Sequence, residues 1–161
     1  MKFIAGFLVI IAISGFQIIQ GQSNRNIVPG KLHKITGSSY LVKIPDDFEI
    51  SKSHKDEFVF KEKGSVVKFV HLKDISATMF CDSMTTQYFE AQGLHEVTET
   101  KIGDIINFKG KFTINQVPYI RSFYIIPHKG NTILGISNYP EKLEGELEYH
   151  FLNMHKNNKN E

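Results

Sequence analysis

Residues 119–137, YIRSFYIIPHKGNTILGIS, decide the fold. Two runs rich in β-branched and aromatic residues, Tyr119 to Pro127 and Thr132 to Ser137, flank His128-Lys129-Gly130-Asn131. Such a loop, with glycine where a positive φ is needed, closes a β-hairpin. Upstream, Ile105 to Val117 reads as a strand with Gly110 inside it, a bulge or a second turn, and Pro118 marks a break. Val97 to Ile102 is the strand before that, followed by Gly103-Asp104.

Earlier still, Tyr40, Val42 and Ile44 alternate with Leu41 and Lys43, the period of a half-buried strand. Pro45-Asp46-Asp47 ends it by turn chemistry, and Phe48 and Ile50 continue it briefly. Glu57 to Lys61 and Val66 to Leu72 are joined through Lys63-Gly64-Ser65. So few residues allow no crossover, so these two strands pair antiparallel.

Two stretches change period. From Ala77 to Gln92, Phe80, Met84, Tyr88 and Ala91 share one face of a single predicted helix. Asp74 or Ser76 caps its start, and Gly93 supplies the left-handed residue at its end. The face reads as core-facing, with a ligand-lining stripe as the alternative. A last helix begins near Pro140-Glu141, with Leu143, Leu147, Phe151 and Met154 on one face. Acids crowd its first turns and bases its last. The order predicts an α+β domain: an antiparallel β-sheet of about six to seven strands covered by two or three α-helices. It spans residues 38–155, after a leader over 22–37 and before a frayed tail at 156–161.

The N-terminus reads as a secretory signal peptide over residues 1–21. Lys2 is a short positive region, Phe3 to Ile13 an apolar one, and Gly21 a small residue suited to cleavage. Seventeen residues from Phe3 to Ile19, with Ser14, Gly15 and Gln17 among them, fall short of the ~20 apolar residues of a spanning helix. No cysteine stands near the cut to take a lipid. Export to the periplasm or the medium is therefore expected, without stable membrane insertion after cleavage.

About 140 residues then remain, enough for one core. The signal removes Lys2 and no acid, leaving 18 bases against 17 acids, scattered among each other as in Lys61-Glu62-Lys63. That balance excludes a nucleic-acid binder, which would show a basic face. Cys81 is the only cysteine, so no internal disulfide forms and the core must hold the fold.

The pattern resembles the Mog1/PsbP-like family, a group that includes small exported bacterial proteins. The resemblance rests on Tyr40 to Phe48, an opening strand ending at a proline. It also rests on the helix ending Tyr88 to Leu94, and on the hairpin Tyr119 to Asn131 followed by a closing helix. It spans roughly residues 38 to 155. Phe48 stands near where the family often has tryptophan. The resemblance implies the α+β fold and a tendency toward protein binding, not a reaction, and no family site maps onto these residues.

Chemistry is sparse. Seven histidines (His33, His54, His71, His95, His128, His150, His155) prompt a metal search. His150 and His155, five apart, diverge by about 140° on a helix, where a metal pair wants a spacing of three or four. The others are isolated and read as surface residues. No G-x-S-x-G, G-x-G-x-x-G or P-loop is present. Asp46, Asp47, Asp56, Glu57 and Asp82 offer carboxylates for a glycosidase-type pair, as in any soluble domain. Cys81 reads as a buried apolar residue. Arg121, one of two arginines with Arg25, sits in an apolar-aromatic strand. It is read either as a bidentate anchor for a carboxylate or partner, or as a strand residue opposite a glutamate.

No catalytic, cofactor-binding or metal residue is assigned. The expectation is a non-enzymatic accessory or protein-binding domain whose partner is another protein. The alternatives are a small-molecule or lipid carrier with an apolar cavity, and a hydrolase with an unrecognised site.

Overall fold

A computed structural model describes residues 30–60 and 64–154. The segments expected to form the signal peptide, the first part of the leader and the tail lie outside the described residues. The described residues form nine strands: β1 (Gly30–Lys34), β2 (Leu41–Pro45), β3 (Glu49–Ile50), β4 (Glu57–Phe60), β5 (Ser65–Leu72), β6 (His95–Ile102), β7 (Ile105–Ile114), β8 (Val117–His128) and β9 (Asn131–Pro140). The helices are α1 (Ala77–Ser83), α2 (Thr86–Ala91) and α3 (Glu144–Met154), the last entered through a 3-10 turn at Glu141–Leu143. β3 to β9 form one antiparallel sheet in the order β3-β4-β5-β9-β8-β7-β6, and β1 pairs with β2 as a separate ribbon. This is the α+β architecture that the hairpin signals predict.

The period of two along each strand makes two cores. Ile120, Tyr124 and Ile126 of β8 face one side, where Val42 and Ile44 of β2 and Leu147 and Phe151 of α3 close over them. Phe123 and Ile125 face the other, under Met84, Phe89 and Leu94. The molecule has three layers: ribbon and α3, sheet, then α1 and α2. Each buried Phe or Leu contributes about 1.5–3 kcal/mol to holding these layers together.

The expected single helix over 77–92 is two. Ser76 Oγ caps α1 by accepting from the Met79 amide, as expected. Thr85 then opens a second helix, its Oγ1 accepting from the Tyr88 amide at 3.2 Å. A side chain that satisfies an orphan amide favours a new N-terminus over helix continuation. The break changes the phase: Phe89 is buried and Ala91 is exposed, while Gly93 does take a positive φ, +69°.

Gly110 is neither a bulge nor a turn but pairs in register with Arg121. A Cβ there would stand 3.0 Å from Val97 Cγ2 and 3.1 Å from Leu94 Cβ, so glycine makes room for the chain passing from α2 into β6. The irregularity lies on β6, between His95 and Thr98. The turn is Asn115-Gln116, both with positive φ, which closes the β7–β8 hairpin with two residues. Pro118 does not break the chain. It lies in β8 opposite Thr113, beyond the end of β9, where β8 has no second neighbour for a missing N–H to serve. Residues 30–34, assigned in sequence to the leader, form β1, and Ile35 after them is fully buried. The bases expected in the last turn of the final helix lie outside the described residues; Glu144 and Glu146 stand in the first turn of α3, as expected.

Candidate functional site

The β7–β8 hairpin outruns the sheet. β6 accompanies β7 only as far as Lys111, opposite His95, and β9 accompanies β8 only as far as Tyr119, opposite Pro140. Beyond the pair Phe112–Tyr119, residues 113–118 therefore stand as a two-stranded tip. Alternation puts Phe112, Ile114, Val117 and Tyr119 on the side that α1 and α2 cover elsewhere. Here Ile114 and Val117 remain 43% and 46% exposed.

Arg121 sits at the root of this tip. Its cross-strand neighbours are Gly110 and Asn138, not the glutamate that one sequence reading requires. Its Nε donates to Asn138 Oδ1 at 2.6 Å, and Nη1 donates to Gln92 Oε1 at 3.4 Å. The Cζ atom lies 5.0 Å from the centroid of the Phe112 ring, which in turn lies 5.7 Å from that of Tyr119. Burial pulls the guanidinium pKa down and Tyr88 pushes it back, but an arginine stays charged at any physiological pH. No carboxylate among the described residues pairs with it. Neutral amides and a ring orient the cation without neutralising it.

The histidines are dispersed. His33 Nε2 is 2.9 Å from Asp56 Oδ1, and the Thr36 amide donates to both oxygens of the same carboxylate at 3.2–3.3 Å. Burial alone would raise the Asp56 pKa; the His33 and Thr36 hydrogen bonds outweigh it and hold it below the usual carboxylate value. His95 lies 4.0 Å from Glu96, and His128 Nε2 is 2.9 Å from Ser39 Oγ. His54 is exposed and His71 half-buried. His150 is not at the surface: it is buried against Phe48 and Phe60. His155 lies outside the described residues. No group of three metal-binding side chains occurs among the described residues.

Cys81 is half-buried on α1, where burial raises its pKa and Glu99 and Asp82 add to the rise. Asp46 and Asp47 form the turn after β2, closed by the Phe48 amide on the Pro45 carbonyl at 3.0 Å. Asp82 is exposed on α1, across the sheet from that turn.

One polar group was not legible in sequence. Under α3, Ser122, Tyr124, Ser137, Tyr139 and Asn107 are buried together, with Ser122 Oγ 3.3 Å from the Tyr139 hydroxyl. Burial raises the pKa of both tyrosines. Lys109 at their edge donates to Glu144 and Glu148 of α3. Only the cross-strand register brings these residues together. Two grooves open at the surface, one of about 520 Å³ between α2 and β6 and one of about 460 Å³ between β1 and β3. Both are lined partly by charged side chains, Glu90, Glu96 and Glu99 in the first, Lys31, Asp46 and Glu49 in the second. No helix among the described residues is long and apolar enough to cross a membrane.

No protein-family model and no curated protein matches the sequence. Solved structures are similar. The cyanobacterial PsbP protein (CyanoP) of Synechocystis is 10% identical, over 84% of this chain and 95% of its own, with a TM-score of 0.47. LpqN of Mycobacterium tuberculosis, involved in cell envelope biogenesis, is 13% identical over 80% of this chain and 83% of its own, at 0.43. The Ran-binding protein Mog1p of Saccharomyces cerevisiae is 9% identical over 76% and 84%, also at 0.43. The likeness is one of fold alone.

Proposed function

We propose that this chain is an exported, non-enzymatic accessory domain that binds another protein through the tip of the β7–β8 hairpin. The observation that carries the reading is the exposure of Ile114 and Val117 on a ribbon that outruns its sheet, beside Arg121. Apolar side chains left in water next to an oriented arginine are the composition of a docking surface. The dispersal of His33, His95, His128 and His150 over separate elements supports a role without acid–base chemistry. Export is supported by the N-terminal charge and hydropathy pattern.

A photo-crosslinking residue at Val117, with one at exposed Lys52 as control, tests the reading in the producing cell. A discrete protein adduct from position 117 and none from 52 is the expected outcome. No adduct from 117, with a stoichiometric lipid co-purifying instead, would overturn it in favour of a carrier.

A further inference from the structure

We propose that Arg121 anchors the docking face by gripping a carboxylate, and that the segment bound is an acidic–apolar peptide: an Asp or Glu flanked by large apolar side chains of a partner protein. This rests on the docking role of the hairpin tip proposed above, and specifies its chemistry.

The charge argument comes first. A guanidinium has five N–H donors in a rigid fork. Those on Nε and Nη1 reach the amide oxygens of Asn138 and Gln92, which fix the plane of the group, and no carboxylate among the described residues neutralises its charge. Phe112 packs against the cation at 5.0 Å, so the group is held in place before any ligand arrives. A pre-oriented fork loses little freedom on binding and matches a planar carboxylate with two parallel hydrogen bonds. Two cations on the neighbouring strand β7 behave otherwise: Lys109 and Lys111 each reach two glutamates.

The surroundings choose among anions. Residues 112–119, FTINQVPY, carry no lysine or arginine, and the cross-strand neighbours of Arg121 are Gly110 and Asn138. A lipid headgroup surface is met by several basic residues together. Phosphate groups likewise call for clustered cations or backbone nests. Arg121, with no second base in residues 112–119 and with Phe112, Ile114 and Val117 beside it, fits a single negative charge with apolar neighbours. Arginine and aromatic side chains at such positions are the residues on which binding energy concentrates.

The test is a titration of ¹⁵N-labelled protein, expressed from its full sequence, with N-acetyl-Leu-Glu-Phe-amide and with its Gln counterpart. Affinity is read from the shifts of the Arg121 Nε–H and of the amides of residues 112–119. The Glu peptide is expected to bind at least tenfold more tightly than the Gln peptide. Arg121→Gln should erase that preference, and Arg121→Lys should lose most of it, because the ammonium keeps the charge but not the fork. Both variants should keep the wild-type amide spectrum away from the tip. Equal affinity for the two peptides, no binding of either, or a preference that survives Arg121→Gln would overturn the proposal. So would saturable shifts of the same resonances with inorganic phosphate, or binding to phosphatidylglycerol vesicles that Arg121→Gln weakens. The Val117 crosslink separates the two levels: an adduct that persists while the peptides fail to discriminate removes the carboxylate and keeps the docking face.

Discussion

Phe151 of α3 lies directly over Gly135 of β9: a Cβ on that glycine would stand 3.0 Å from Phe151 Cε2 and 3.1 Å from Cζ. The same ring stacks on Tyr124, the cross-strand partner of Gly135, at an interplanar angle of 14°. Glycine at this point lets the helix ring reach the sheet. Gly135→Ala is expected to destabilise the protein by about 1–3 kcal/mol through overpacking, and Phe151→Ala by about 3–5 kcal/mol through the cavity it leaves. Phe151→Leu lacks the far ring atoms, so combined with Gly135→Ala it should cost less than the two single changes together. Urea denaturation of the four variants decides it; strictly additive costs would contradict the contact.

Asp56 ties the loop before β4 to β1 through His33 and to the chain after β1 through the Thr36 amide. Its folded pKa is depressed, so the carboxylate contributes stability that is full above its unfolded value, near pH 4, and disappears as pH falls through the folded value. Asp56→Asn should cost about 1–3 kcal/mol at pH 7, in the range for hydrogen bonds to charged groups. The gap between variant and wild type should narrow as pH falls below about 4. Thermal unfolding at pH 7 and pH 3 measures both ends.

Gln116 holds a positive φ of 67° in the two-residue turn after β7. A non-glycine residue there costs roughly 1–2 kcal/mol, partly offset by the extra unfolded-state freedom that glycine brings. Gln116→Gly creates Asn-Gly, the favoured pair for this turn. The expected gain is about 0.5 kcal/mol, visible as a rise in Tm with the hairpin register unchanged.

Cys81 should be a slow nucleophile. Burial, Glu99 and Asp82 all raise its pKa above the ordinary thiol value, so the thiolate is scarce at neutral pH. Iodoacetamide should label the folded protein more slowly than the urea-unfolded chain at pH 7.5, and the rate should climb steeply as pH rises past about 9. Labelling equally fast in both states would show the thiol to be open to solvent.

Much of the sheet was legible because its signals are local. The hairpin at Gly130 and the alternation along Val67 to Phe69 need nothing beyond neighbouring residues, although the loop is the pair Lys129-Gly130 and not the four residues from His128 to Asn131. The helix break at Thr85 was hidden because Phe80, Met84 and Tyr88 keep helical spacing across it, and a capping threonine looks like any other in a helical run. β1 was hidden because its strand pairs only with β2 and leaves Leu32 exposed, so it shows no apolar alternation. At the candidate site, Arg121 stood out by composition, but its partners did not. Asn138 and Gln92 come to it from β9 and the end of α2, and only the register of the folded sheet brings them there.

The order of strands also bears on how the chain acquires its shape. β5 lies between β4, which immediately precedes it in sequence, and β9, which follows it by some sixty residues. As the polypeptide is made from its N-terminus, β5 emerges with one edge open and stays so until residues 132–138 arrive. Phe69 then finds Gly135 opposite it and the ring of Phe151 follows. A ribosome-bound or truncated chain that stops before β9 leaves β5 as an open apolar edge, the kind of edge at which aggregation begins. Completion of the sheet therefore waits until the last fifth of the chain is present.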